Sequence, residues 1–379
     1  MRMESFGREL DGNIDLLWQE LRAGRFRATD VRRTWIPKGG GKLRPLGIPT
    51  VRDRVVQKAL HTILSAVFEP CFLELSHGFR PGRSAHNALD QVKTLVGKCG
   101  TSTVVDADIE GFFDAVHHQW LMKFLEHRIA DRTILHLVGK FLHVGVMDRG
   151  VKVRNEDGVP QGGPLSPLLA NIYLHYVLDL WFERRVQGAC EGRSFLVRYA
   201  DDFVAGFAHR GDAEQFLADL GQRLSEFGLK LSQAKTRLVD FGPRSPGNGT
   251  GPGPTDRTRT FDFLGFTHYM RALPKRGFRC AVKPSRKSRN RFLLQVKEWC
   301  RKVRDTPVHW QAKRLGQKLS GWYRYFGRRN CLASLKHMKL HAGRLWVMSL
   351  RRRSQRHRLW WHLVKTRGWF MSLPNPVLR

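Results

Sequence analysis

The stretch Phe195-Leu196-Val197-Arg198-Tyr199-Ala200-Asp201-Asp202-Phe203-Val204-Ala205-Gly206-Phe207 constrains the fold more than any other part of the chain. Two apolar, aromatic-rich runs flank a pair of adjacent aspartates, and runs that meet at a short polar break predict a β-hairpin. The turn then falls near Ala200-Asp201-Asp202, with both carboxylates at or beside its tip. Anionic side chains that close repel each other, and taking them out of water unpaired is costly. A divalent cation removes that penalty, and hard oxygen ligands favour Mg²⁺. A plain hydrophilic turn suits the same residues, since aspartate is common in turns.

A second segment bears on that choice. Thr103-Val104-Val105-Asp106-Ala107-Asp108-Ile109 alternates as a strand, with Asp106 and Asp108 on one face and Val105, Ala107 and Ile109 on the other. A carboxylate inside a strand is costly without a partner. One aspartate here and two on the hairpin make the two halves of a metal site. Glu110-Gly111-Phe112-Phe113-Asp114 continues into a helix beginning around His117. His117 and His118 point to different helix faces and read as solvated or capping residues.

The remaining segments alternate between hairpins, turns and helices. Residues 1–35 have Leu10, Ile14, Leu17 and Leu21 at near-helical spacing. Trp35 to Pro49 reads as a hairpin with a glycine-rich basic tip, where Lys38, Lys42 and Arg44 can hold a triphosphate or stand solvated. A helix from about Asp53 is expected to carry Val55, Val56, Ala59, Leu60 and Ile63 inward. His77-Gly78-Phe79-Arg80-Pro81-Gly82-Arg83-Ser84 is a tight basic turn before a helix capped near Ser84. Arg80 and Arg83 there meet a nucleic-acid backbone or belong to an ordinary loop. Two amphipathic helices fill 120–145. The Gly/Pro-rich loop Val159–Leu169 feeds a long helix through Trp181, and its glycines allow close approach to a ligand, with Gln161 as a contact. A helix from Asp212 to Phe227, the segment Leu229–Thr236 and the strand Leu238–Phe241 follow. Gly242 to Arg259 is Pro/Gly-rich and reads as a surface loop.

Length and charge bound the class. With 379 residues, two or three domains are expected, and 41% hydrophobic content with eleven tryptophans marks a folded chain. The net charge of +33 is unevenly spread: Arg271 to Arg379 holds 30 Lys/Arg against 2 Asp/Glu, leaving the first 270 residues at +5. Self-repulsion on that scale calls for a polyanionic partner. Seven tryptophans lie in the same basic third, and aromatic faces among cations suit base stacking and phosphate contacts. No long apolar span or signal-like N-terminus points to a membrane. The six cysteines form no C-x-x-C pair, so neither a zinc knuckle nor a disulfide framework is expected; reduced thiols suggest the cytoplasm, with the nucleoid.

Taken together, Ile36–Pro49, His77–Ser84, Asp108–Asp114, Pro160–Asn171, Tyr199–Asp202, Leu229–Thr236, Phe263–Phe266 and Gly321–Phe326 resemble, in order, the group II intron-encoded reverse transcriptase/maturase family. The resemblance implies an α+β right-hand polymerase: fingers and palm over 1–270, a helical thumb or maturase domain over 271–335, and a basic aromatic extension over 336–379. Phe261–Thr267 is then an edge strand of the palm. It implies two Mg²⁺ ions held by Asp108, Ile109, Asp201 and Asp202, with Asp106 a neighbour of open role. Lys38 and Arg44 match triphosphate-binding positions, Gln161 and Gly162 the loop touching the nascent pair, and Lys235 the lysine before Thr after the hairpin, which can protonate pyrophosphate as a general acid or stand as a solvent-facing salt-bridge lysine. Phe113 matches the aromatic under the sugar, with Phe112 as its rival. Arg80, Arg83, Trp322, Arg324 and Tyr325 are the expected contacts to template, primer or intron RNA.

The function so implied is RNA-directed DNA synthesis from dNTPs on an RNA template and DNA primer, together with binding of group II intron RNA in splicing and mobility. Only 35 residues precede Ile36, fewer than in most of the family. No Cys-x-x-Cys or His-Asn-His pair follows the thumb, so no DNA endonuclease domain is expected. An RNA-binding splicing factor with an idle polymerase and a domesticated relative in host defence or repair are the alternatives. Three intact aspartates facing a polyanion weigh against the first of these.

Overall fold

Strand alternation and helical spacing are realised in a mixed α+β chain, described in a computed structural model for residues 3–37, 43–148, 151–153, 157–241, 259–273, 277–353 and 372–378. The chain divides into two units between Leu238 and Val239, upstream of the boundary expected at 270.

In the first unit, helices Met3–Arg8 (α1) and Leu10–Arg22 (α2) precede a hairpin of Val31–Pro37 (β1) and Leu43–Ile48 (β2), in register from Arg32–Ile48 to Pro37–Leu43. Its tip, with Lys38 and Lys42, lies outside the described residues. Thr50 caps Val51–Phe68 (α3) by accepting from the Asp53 amide, and the buried Asp53 carboxylate accepts in turn from the Thr50 hydroxyl at 2.7 Å. This tether sets the helix phase. Asp53, Val56, Leu60, Leu64 and Phe68 face inward, while Ala59 and Ile63, expected in the core, are exposed.

Ala85–Lys98 (α4) starts with a capping box between Ser84 and Asn87. Thr103–Ala107 (β3), His118–Glu126 (α5), Arg132–Leu142 (α6), Val146–Asp148 (β4) and Val151–Val153 (β5) follow. One sheet has the order β2-β1-β4-β5. Ser166–Leu174 (α7) passes Trp181 through π turns at His175–Asp179 and Phe182–Val186 and ends in Gln187–Ala189 (α8). Ser194–Tyr199 (β6) and Asp202–Phe207 (β7) form the predicted hairpin, followed by Arg210–Glu226 (α9) and Arg237–Asp240 (β8). The second sheet has the order β6-β7-β3-β8, so the two aspartate-bearing segments include neighbouring strands. Helices α4 and α9 pack on this sheet, and α3 and α5 pack on α7, around buried residues such as Leu64, Phe112, Leu121, Tyr173, Phe182, Phe203 and Phe216.

In the second unit the run Phe261–Thr267 is not one palm strand. Leu264 and Gly265 both adopt left-handed backbone (φ 49° and 80°), folding the run so that Phe263 pairs with Phe266. Phe261–Phe263 (β9), Phe266–Leu273 (β10) and Gly277–Pro284 (β11) therefore make a separate sheet of order β11-β10-β9. Three helices follow: Arg286–Lys302 (α10), Val308–Phe326 (α11) and Leu332–Arg351 (α12). Helix α12 buries Leu335, Met338, Ala342, Trp346 and Leu350, and the Trp346 indole N–H donates to Gln311 at 2.9 Å. Residues 336–351 are thus part of this unit's core, in contrast to the appended extension expected from 336 onward. Leu373 is buried as well, and Asn375 accepts from Lys339 Nζ at 2.9 Å.

Candidate active site

The connection between β6 and β7 is only two residues, Ala200 and Asp201, because Tyr199 pairs with Asp202. So short a hairpin loop favours positive φ, and Ala200 adopts 58°. Strand β3 runs antiparallel to β7 with Ala107 opposite Phe203, so one further step brings Asp108 level with Asp202. The three carboxylates converge. Their proximity shows in Asp202, whose carboxyl is pushed up to about 6, first by desolvation and then by the charges of Asp201 and Asp108, with Lys235 pulling the other way. Asp202 is exposed as a residue, so this desolvation reflects crowding at the carboxyl and not enclosure in the core.

Beyond β3 the chain pairs with 230–232: the Glu110 amide donates to Lys230, and the Ser232 amide donates to Asp108, each at 2.8 Å. A turn in which the Lys235 and Thr236 amides donate to the Ser232 carbonyl brings the chain back. Lys235 Nζ then donates to Asp108 at 2.5 Å, and Arg237 Nη2 to Asp106 at 3.0 Å. The role left open for Asp106 is filled by this second ion pair. Lys235 stands in solvent, so its pairing with Asp108 is worth at most about 1 kcal/mol and opens readily.

Among the described residues, no three His, Cys, Asp or Glu side chains form a preformed metal cage. The donor set nevertheless fits a hard divalent cation: three carboxylates at one sheet end, two of whose charges raise the third, and one held by an exposed lysine. The Ile109 side chain is buried, which limits this residue to a main-chain contact.

A second cluster involves residues predicted to bind nucleotide. Arg44 Nε donates to Gln161 Oε1 at 2.6 Å, and the Gly47 amide to the Gln161 carbonyl at 2.7 Å. Gly162 has φ of 128°, and a Cβ there would lie 2.4 Å from the Gly47 carbonyl oxygen, so only glycine fits. The Val159 amide donates to Phe113 at 2.7 Å, and His118 donates to the Gly158 carbonyl at 2.7 Å. The loop therefore joins the fingers-type hairpin to the segment after β3, and His118 is a buried residue, not a solvated one. Phe113 is 8% exposed and Phe112 3%; Phe112 packs towards Tyr173. Lys38 lies outside the described residues.

Several residues expected to contact nucleic acid have partners within the fold. Arg80 is buried and donates to Glu69 and to the Leu73 and Ser76 carbonyls. Arg83 is held by Glu74 at 2.6 Å. Trp322 is buried against Phe292 and Phe326, and Tyr325 donates to the Leu264 carbonyl at 2.8 Å. A basic turn and an aromatic helix face carry no signal in sequence that separates ligand contact from internal use. Arg324 is exposed. Missed altogether was a fully buried pair, Arg198 and Asp179, directly behind the hairpin turn. An arginine in an apolar strand and an aspartate between Leu178 and Leu180 were its only traces.

Comparison with known proteins gives the family. Residues 36–268 match the reverse transcriptase (RNA-dependent DNA polymerase) family. Protein YkfC of Escherichia coli (strain K12) is 39% identical over 219 residues, 50% of this chain and 58% of that one. The group II intron-encoded protein LtrA of Lactococcus lactis subsp. cremoris is 44% identical over 172 residues, 44% of this chain and 28% of its own. The chain thus spans less than two thirds of either relative. Telomerase from Candida albicans, solved with a telomeric RNA fragment, superposes with TM-score 0.50 at 13% identity, covering 93% of this chain and 62% of that one. That likeness concerns fold alone, the right-hand polymerase. No described helix is long and apolar enough to cross a membrane. With the family match covering more than half of its length, and with three carboxylates gathered at the end of the matched sheet, the chain belongs to the reverse transcriptase (RNA-dependent DNA polymerase) family.

Proposed function

We propose that this protein extends a DNA primer on an RNA template at Asp108, Asp201 and Asp202, and that it serves a group II-type intron RNA. The strand register that brings those three carboxylates to one sheet end is the observation that carries the reading, and the raised Asp202 carboxyl accords with it. Two bound Mg²⁺ ions would lower the pKa of the primer 3′-hydroxyl and stabilise charge on the phosphates. Asp108 and Asp201 are the residues assigned to hold both ions, with Asp202 supporting.

The chain's own side chains do the rest. Arg44 spends its Nε–H on Gln161, and among the described residues its amino groups form no ion pair, which leaves them for a triphosphate. Lys38, on the same hairpin, is assigned the same ligand. Gln161 and Gly162 set the loop against the nascent base pair. Phe113, a buried ring like its neighbour Phe112, is assigned to lie under the sugar and disfavour a 2′-hydroxyl. Lys235, held to Asp108 only by a solvent-exposed ion pair, is the side chain that would supply a proton to the leaving pyrophosphate.

The intron role rests on the likeness to LtrA and on the +28 charge of residues 239–379, which suits a structured polyanion. Primer extension on an RNA template tests the polymerase reading, with wild type beside Asp201→Asn. Loss of a metal-holding carboxylate should abolish extension, and equal signal from the two proteins ends the enzymatic claim.

A further inference from the structure

Arg198 and Asp179 are both completely buried. A buried ion pair is weak evidence for stability, since each ion gives up its water, so its place in the fold calls for another explanation. The guanidinium has five N–H groups, and each has an acceptor. Nε donates to Asp179 Oδ1 at 2.7 Å, and Nη2 to Asp179 Oδ2 and to Ser76 Oγ at 2.8 Å. Nη1 donates to Asn171 Oδ1 at 3.0 Å and to the Ala200 carbonyl at 2.9 Å. That last acceptor is the residue with φ of 58°, immediately before Asp201. An alanine takes this conformation reluctantly, and something must hold it there. Packing closes the other side: a Cβ on Gly78 would lie 2.3 Å from the Ala200 nitrogen, and Asn171 fixes Gly78 by donating to its carbonyl at 2.7 Å. Asp179 ends the π turn of the helix behind, a distortion often found at functional sites.

We propose that Arg198, oriented by Asp179, is a positioning residue that holds the Ala200 carbonyl and thereby fixes where Asp201 and Asp202 stand. This rests on the reading of those two aspartates as the catalytic carboxylates. The requirement is for the five-donor fork more than for its charge, so lysine does not replace it.

The test uses the full chain as Arg198→Lys, Arg198→Lys with Ala200→Gly, and Asp201→Asn. Thermal melting and affinity for a primer–template duplex establish folding and binding. Arg198→Lys is expected to bind duplex as wild type but to lose about a hundredfold in single-turnover nucleotide incorporation, the scale of an ångström-sized misplacement. Hydrogen exchange should quicken at amides 199–203 and not elsewhere. Adding Ala200→Gly should recover part of the rate, because glycine takes positive φ without a side-chain penalty. A folded Arg198→Lys protein with wild-type rate and exchange overturns the proposal, as does a rate loss that glycine leaves untouched with exchange quickened throughout. If Arg198→Lys fails to fold, Ser76→Ala removes one acceptor and no charge; faster exchange at 199–203 then supports the role, and unchanged exchange overturns it. Asp201→Asn keeps the two readings apart. Full activity there sinks the catalytic assignment, whereas an inactive Asp201→Asn beside a fully active Arg198→Lys sinks only the positioning role.

Discussion

The Asp202 carboxyl at the sheet end is tuned by its neighbours, and this is testable one residue at a time. Asp201 and Asp108 both raise the Asp202 carboxyl, while Lys235 lowers it. Asp201→Asn should therefore move the Asp202 titration to lower pH, and Lys235→Met should move it higher. Carboxyl-carbon NMR of the metal-free protein reads both, and shifts in the opposite senses would show that the three side chains do not face one another. His175 supplies a second titration. It is buried edge-on to Phe72, and desolvation lowers its pKa to about 4 from an ordinary 6.5. Between those values the unfolded chain binds more protons than the folded one, so stability falls as pH falls through the window and levels off below it. The loss amounts to about 3 kcal/mol at 1.36 kcal/mol per unit. In urea unfolding, His175→Phe should lose about one proton's worth of that acid slope; an unaltered slope would place the effect in another group. At this scale the sequence was legible where chemistry is local. Asp201 and Asp202 are adjacent, so their conflict is visible in the bare string. Arg198 and Asp179 are 19 residues apart and meet only because a helix packs behind a strand. Arg80 illustrates the converse, a cation in a basic turn whose donors are all turned inward.

Among the elements, hairpins and caps followed from short-range rules, and sheet membership did not. The β6–β7 hairpin, the Ser84 cap and the β1–β2 hairpin depend on residues a few positions apart. Splitting Phe261–Thr267 into β9 and β10 depended on Leu264 adopting left-handed backbone, which its residue type does not announce. The same holds for the loop at Gly162. Its glycine was visible, but the reason for it, the Gly47 carbonyl 2.4 Å from any Cβ, is a tertiary contact. Gly162→Ala should force the loop off β2 and break the Gly47–Gln161 hydrogen bond that holds Arg44's partner in place. Its expected signature is a raised KM for dNTP together with a reduced incorporation rate, while duplex affinity stays as in wild type. Unchanged dNTP kinetics would remove this loop from the nucleotide site.

Taken whole, the chain is electrically two proteins. Residues 1–238 carry 33 Lys/Arg and 28 Asp/Glu, whereas residues 239–379 carry 33 and 5. The first unit holds the carboxylates that would do chemistry on a nucleotide, and its charge is near balance. On the proposed reading, sequence-independent grip falls to the second unit, and the fold says which of its cations are exposed. Helix α11 buries Gln311, Leu315, Leu319, Trp322 and Phe326 on one side, leaving Lys313, Arg314, Lys318 and Arg324 exposed. Each cation that neutralises a phosphate releases counterions, contributing about 0.7 to 0.9 to the slope of log affinity against log salt. Changing those four residues together to glutamine should flatten the slope for an RNA–DNA duplex by about 3, with melting temperature and the exchange pattern of the first unit unaltered. The aromatic core beneath is the control: Trp346→Ala should lower the melting temperature of the second unit by opening a cavity between α12 and its neighbours. If the four-fold variant keeps the wild-type slope, the polyanion lies against another face, and α11 serves only to pack the unit it belongs to.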